Sequence, residues 1–306
     1  MAAPVTKVRI ACDDAMRQHI RAFYSEPAAM TSPGRHARLL DELPSNVGDL
    51  ARLVSGLLLH EHFAPEYGVT LSNEHKGESH IRSVQRMLDR LLAKDSQPLS
   101  AARPIGKRLV GVCRHFTVLL VAMLRAKGVP ARARCGFGAY FDRGRFEDHW
   151  VCEYWSTEEG RWALVDAQID EVQRSTLAID FDLLDVPRDE FVIAGDAWAQ
   201  CRAGKIDPSR FGIFDLRGLW FVAGNVLRDF AALNNMEMLP WDVWGAMPRR
   251  EDVLQADLLT LLDSVAALTH APDASFGELV ALYQSDERLR VPSTVFNALL
   301  NKLEAI

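Results

Sequence analysis

Cys113, His149 and Asp166 follow one another along a chain of 306 residues and supply a nucleophile, a proton carrier and a carboxylate. Together they would perform acyl transfer. The thiolate attacks a carbonyl, the imidazole moves the proton, and the carboxylate holds the imidazole in one tautomer. Cys113 opens an apolar run that continues through Leu124 and closes at Gly128, with Pro130 just beyond, the usual signature of a helix end. The cysteine is therefore expected in, or just before, the first turn of a helix of about four turns. Unpaired backbone N–H groups at such a terminus stabilise a thiolate and depress its pKa.

The histidine and the aspartate fall in two strand-like segments, 149–155 and 161–166, joined by the polar turn 156–160. In an antiparallel hairpin the indices of opposed residues have a constant sum, and opposed residues share a face. A two-residue turn at Thr157-Glu158 would oppose His149 and Asp166 directly. A turn at Glu158-Glu159 would make them diagonal neighbours, still within reach. A three-residue turn would put them on opposite faces.

Four linked motifs carry a resemblance: Gly111-Val112-Cys113-Arg114-His115-Phe116, Leu124 to Arg132, Asp148-His149-Trp150, and Trp162-Ala163-Leu164-Val165-Asp166. Their order and residues resemble the core of the transglutaminase-like superfamily, a papain-like cysteine acyl-transfer fold, over about residues 105–170. The resemblance implies an α+β fold with an antiparallel sheet packed on the cysteine-bearing helix. It also implies Cys113 as nucleophile, His149 as general base and acid, and Asp166 as the group orienting it. The family often places Pro after the aspartate, where this chain has Ala167; Asp170 is the weaker alternative for the third position.

The implied activity is cleavage of an amide or peptide-like bond through a thioester at Cys113, with neither cofactor nor metal. A transamidase that passes the acyl group to an amine, and a non-catalytic binding scaffold on the same fold, are the alternatives. Arg114 and Trp150, next to the cysteine and the histidine, are candidates for contact with the substrate. A cation in a helix's first turn opposes the macrodipole, so Arg114 reads either as an electropositive neighbour of the thiolate or as a solvated side chain. His115 reads as a packing residue.

With 35 basic and 41 acidic residues the net charge is −6, which speaks against general nucleic-acid binding. No run of 18 apolar residues marks a membrane span. The first twenty residues carry Asp13-Asp14 and no apolar core of a secretory signal. Five widely spaced cysteines in a chain of this size fit free thiols in a reducing cytoplasm.

Residues 1–100 read as a helical region, 101–175 as the catalytic core, and 176–306 as a mainly helical extension packed on it. Helices are expected at 47–62, 80–92, 218–233, 252–270, 276–284 and 295–303 from apolar spacings of three and four. Residues 131–137 alternate as a half-exposed strand, and Gly136-Phe137-Gly138 reads as a bend. His60-Glu61-His62 would diverge on a helix and is no zinc motif. A zinc site drawn from Cys113, His115, Cys135, His149 and Cys152 fails because His149 and Cys152, three apart on a strand, point to opposite faces. The segment 236–244, with Glu237, Trp241, Asp242 and Trp244, is a loop that would suit an amine acceptor if it lay near Cys113. Trp198, Trp220, Trp241 and Trp244 read as core rather than as a substrate cage.

Overall fold

The computed structural model describes residues 15–250 and 252–306. At its centre lies the helix Cys113–Ala126, in which every residue from Cys113 to Arg125 is buried. A helix that is apolar nearly all round must be covered on all sides, and this one is. The helix Val47–Leu57 and the amphipathic helix Val84–Lys94 pack against it within one core. Gly128, at φ +72°, closes the helix as expected, with its N–H on the Arg125 carbonyl.

The architecture is α+β, and its sheet is larger and more mixed than the sequence suggests. Phe191–Ile193, Ala131–Gly138 and Phe146–Ser156 are antiparallel neighbours. The outer edge of Phe146–Ser156 is then shared by two strands. Arg161–Val165 runs antiparallel beside its C-terminal half, from Cys152 to Ser156. Phe211–Ile213 runs parallel beside Phe146 and Glu147 and is itself paired with Leu216–Arg217. Residues Asp148–Val151 are left without a strand partner on that edge among the described residues. The functional groups gather at this gap.

Several expectations are corrected. Ala131–Gly138 is buried throughout, because Arg132 and Arg134 are not solvated but ion-paired with Glu153, Asp229 and Asp273. Gly136 is not a bend. It continues the strand, and a Cβ there would stand 2.3 Å from the Val192 carbonyl oxygen of the neighbouring strand. The helix expected to reach residue 62 stops at Leu57, and Leu58–His60 becomes a strand paired in parallel with Leu109–Gly111. The expected helix at 295–303 is a hairpin, Thr294–Asn297 with Lys302–Ala305. There the Asn297 side chain accepts the N–H groups of Leu299 and Leu300 and turns the chain, and Asn301 adopts a left-handed φ of +50°. Local hydrogen bonding from an Asx side chain outcompeted the helical spacing.

Behind the sheet, Ala194–Arg202, Leu219–Leu233 and Ala256–His270 form a second apolar core. No helix among the described residues is long and apolar enough to cross a membrane.

Candidate active site

The chain reaches Cys113 through the strand Leu109–Gly111 and an extended Val112. His115 fixes this entry. Its Nδ1 accepts the Val112 N–H at 3.1 Å, so its proton lies on Nε2, which donates to the Ile81 carbonyl at 3.0 Å. Burial first, then the Arg114 charge, pushes its pKa down to about 3. The ring is therefore a neutral pin. Gly111 is the residue that admits it, since a Cβ there would lie 2.7 Å from the imidazole.

The backbone N–H groups of Trp150 and Arg114 both act on the Cys113 sulfur and favour its thiolate. The first is available because Trp150 lies in the unpaired stretch of its strand; the second is an orphan donor of the helix's first turn. The expected low thiol pKa is corrected all the same. Burial pushes the Cys113 thiol well above its ordinary value, the Asp148 charge adds to this, and the two N–H groups only partly oppose it. Water removal outweighs the helix terminus here.

His149 Nε2 lies 2.8 Å from Asp166 Oδ2. Cys152 pairs with Val165 and Ser156 with Arg161, so the indices sum to 317 and the turn is even. That is the diagonal arrangement. Asp166 accepts two more hydrogen bonds, from the Tyr140 hydroxyl at 2.7 Å and from the Gln168 N–H at 2.9 Å. Burial raises the carboxyl pKa, but the His149 ring and these donors outweigh it and hold the group below its usual range. A carboxylate kept ionised against an imidazole is the arrangement that fixes a tautomer and supports an imidazolium. Phe141 meets the His149 ring edge-on, with centroids 4.8 Å apart.

Cys113 and His149 open onto one cavity of about 420 Å³, walled mainly by apolar groups such as Trp220, Trp241, Phe221 and Met247. His60 and His62 also line it. They do not diverge as a helix would require; their rings are 5.4 Å apart. His60 is buried, and burial first, then the charges of His62, His149 and His115, holds its pKa well below the imidazole range. Its Nδ1 accepts the His62 N–H at 3.3 Å, which places the proton of the neutral ring on Nε2. No sequence motif marks Tyr140 or Gln168, and His60 is visible in the sequence only within the rejected His60-Glu61-His62 zinc motif.

Arg114 and Trp150 are corrected as substrate contacts, since neither side chain lines the cavity. The Arg114 guanidinium is fully buried and donates to the backbone carbonyls of Glu237 and Arg82. Trp150 packs in the core around the central helix. Both act on Cys113 through their main chain instead. Asp170 caps the helix Glu171–Leu177 and accepts the Tyr67 hydroxyl at 2.7 Å, away from His149. In the segment 236–244, Trp241 reaches the cavity but the acids do not. Glu237 is buried, and Asp242 pairs with Arg82. Trp198 and Trp244 are core, whereas Trp220 and Trp241, also read as core, line the cavity. No cluster of potential metal ligands occurs among the described residues.

Residues 88–167 match the family model of the transglutaminase-like superfamily. This segment is similar to a transglutaminase-like core. It contains Cys113, His149 and Asp166. A solved structure described as a candidate cysteine protease from Cytophaga hutchinsonii is similar at 19% identity and a TM-score of 0.33, over 57% of this chain and 47% of that one. The chain thus spans about half the length of that neighbour. No curated protein matches the sequence.

Proposed function

We propose that the protein is a cysteine-dependent acyl-transfer enzyme that cleaves an amide or peptide-like bond through a thioester at Cys113. One observation carries this reading. The Cys113 sulfur, favoured as thiolate by two backbone N–H groups, shares a cavity with an imidazole that is bonded to a buried carboxylate. His149 takes the thiol proton as the sulfur attacks the carbonyl, and returns it to the leaving amine. Asp166 holds the ring, and Tyr140 holds Asp166. The raised thiol pKa fits a resting neutral thiol, with the nucleophile generated only when substrate arrives.

The developing oxyanion needs donors aimed at it. The first is the Cys113 backbone N–H. The second is the Nε2–H of His60, a neutral donor with no hydrogen-bond partner among the described residues. Water is the default acceptor of the thioester and makes the enzyme a hydrolase. An amine in its place would make it a transamidase.

A panel of acyl p-nitroanilides tests the reading by release of nitroaniline. Release by the wild type, lost in Cys113→Ala and in His149→Ala, is expected. Equal release by Cys113→Ala would overturn it.

A further inference from the structure

Opposite charges line the cavity unpaired. Arg228, on the helix Leu219–Leu233, is 7% exposed and forms no ion pair with any described residue. Its guanidinium carries five N–H donors. One bonds the Asn225 side-chain oxygen at 3.1 Å and one the Asp242 carbonyl at 3.2 Å, while Nε has no partner. Asp242's own carboxylate is taken by Arg82. Asp148, 8% exposed, receives only the Asn225 amide, at 2.7 Å, and also forms no ion pair. Asn225 thus stands between the two charges, one end of its amide on each. Gly224 makes room for the cation at the cavity wall, since a Cβ there would lie 2.9 Å from its Nη1.

Burying an unpaired charge is costly, and leaving two opposite ones apart more so. A zwitterionic amino acid, carboxylate on Arg228 and ammonium at Asp148, satisfies both without adding net charge, and an N-acyl amino acid meets the same pair with its carboxylate and its amide N–H. Asp148 and Cys113 line the same cavity, so a nitrogen held at Asp148 shares that space with the reacting carbonyl. Most of the remaining wall is apolar and aromatic; of the other acids that reach it, Glu147 is paired with Arg217 and Glu61 lies beside His62.

We propose that Arg228 and Asp148 form the subsite for the amine half of the substrate: an α-amino acid with an apolar side chain, its carboxylate on Arg228 and its nitrogen at Asp148. The substrate class is then an N-acyl amino acid or the last peptide bond of a chain. This rests on the acyl-transfer reading above and names its substrate. In the step, the Cys113 S–C bond forms and the amide C–N bond breaks. The thiol proton passes through His149 to the leaving nitrogen, and water then cleaves the thioester and restores the thiol. The released amino acid takes a further proton from water and becomes the zwitterion that both charges fit.

The test measures binding rather than turnover, and so stands apart from the chemistry. Calorimetric titration of the Cys113→Ala protein uses L-phenylalanine, 3-phenylpropionate, which lacks the nitrogen, and 2-phenylethylamine, which lacks the carboxylate. L-Phenylalanine is expected to bind at least ~10-fold tighter than either, about 1.4 kcal/mol. Adding Arg228→Gln should weaken L-phenylalanine and 3-phenylpropionate and leave 2-phenylethylamine unchanged, which also reports that the cavity is intact. Equal binding of the three probes, binding of none, or an L-phenylalanine preference that survives Arg228→Gln overturns the proposal. Failure of acyl transfer itself would appear separately, as nitroaniline release indifferent to Cys113→Ala.

Discussion

His149 reaches Asp166 diagonally across the hairpin, Nε2 to Oδ2 at 2.8 Å, beside the stretch where no strand covers the edge of Phe146–Ser156. The same gap leaves the Trp150 N–H free to favour the Cys113 thiolate. One break in a sheet ladder thus supplies both the open edge and a donor to the nucleophile.

Replacing Asp166 by Asn keeps the volume and removes the charge that holds the imidazole. Turnover is expected to fall by about 10⁴, as in serine triads, with the melting temperature nearly unchanged. Tyr140→Phe removes one donor to Asp166 and should cost about tenfold, with a shifted pH–rate profile. Wild-type turnover by Asp166→Asn would remove the aspartate from the mechanism.

His60→Ala removes the side-chain donor to the oxyanion. A loss of ~10²–10³ in kcat with KM little changed is expected from the value of one such donor. A rise in KM alone would make His60 a wall of the pocket and nothing more.

The cysteines differ in access and in proton acceptor. Iodoacetamide is expected to reach Cys113, which faces the cavity and His149, before Cys135, Cys152 or Cys201; Cys12 lies outside the described residues. Because burial and Asp148 raise the Cys113 pKa, its labelling rate should still be climbing above the pH, about 8.5, where a free thiol levels off. His149→Ala should slow Cys113 and leave Cys201 alone. Peptide mapping that shows uniform slow labelling of all the cysteines would mean that Cys113 is merely packed.

Much of the site was legible because its signals are local. The spacing of His149 and Asp166 left two even turns and one odd turn open, of which the structure takes an even one, and an apolar run closed by Gly128 marked the Cys113 helix. What stayed hidden depends on distant partners. Arg132 and Arg134 look like solvent-facing residues until Asp229 and Asp273 arrive from about a hundred residues away or more. His60 looks helical until Leu109–Gly111 pairs with its strand. Arg228 sits unremarked in an apolar helix, and only the assembled cavity sets it near Asp148.

The ion cluster at Glu153 sets acid stability. Burial would raise the Glu153 pKa, but Arg132, Arg134 and Arg188 hold it far below the carboxylate range. Its stabilising contribution is therefore full above the unfolded value, ~4.3, and is lost as pH falls through the folded value. Glu153→Gln is expected to cost about 3–5 kcal/mol at neutral pH and to flatten the fall in melting temperature below pH ~4. An unchanged acid limb would place the sensitivity elsewhere.

The most direct measurement is the mass of the protein itself during turnover. Acid quenching with a p-nitroanilide that the wild type cleaves should reveal the acyl mass on the chain, mapped to Cys113. The adduct should decay with release of free acid, and added amine should divert it to amide only at high concentration. Diversion that saturates at low millimolar amine would make the enzyme a transferase. Turnover with no adduct on Cys113, continuing undiminished in Cys113→Ala, would contradict the account.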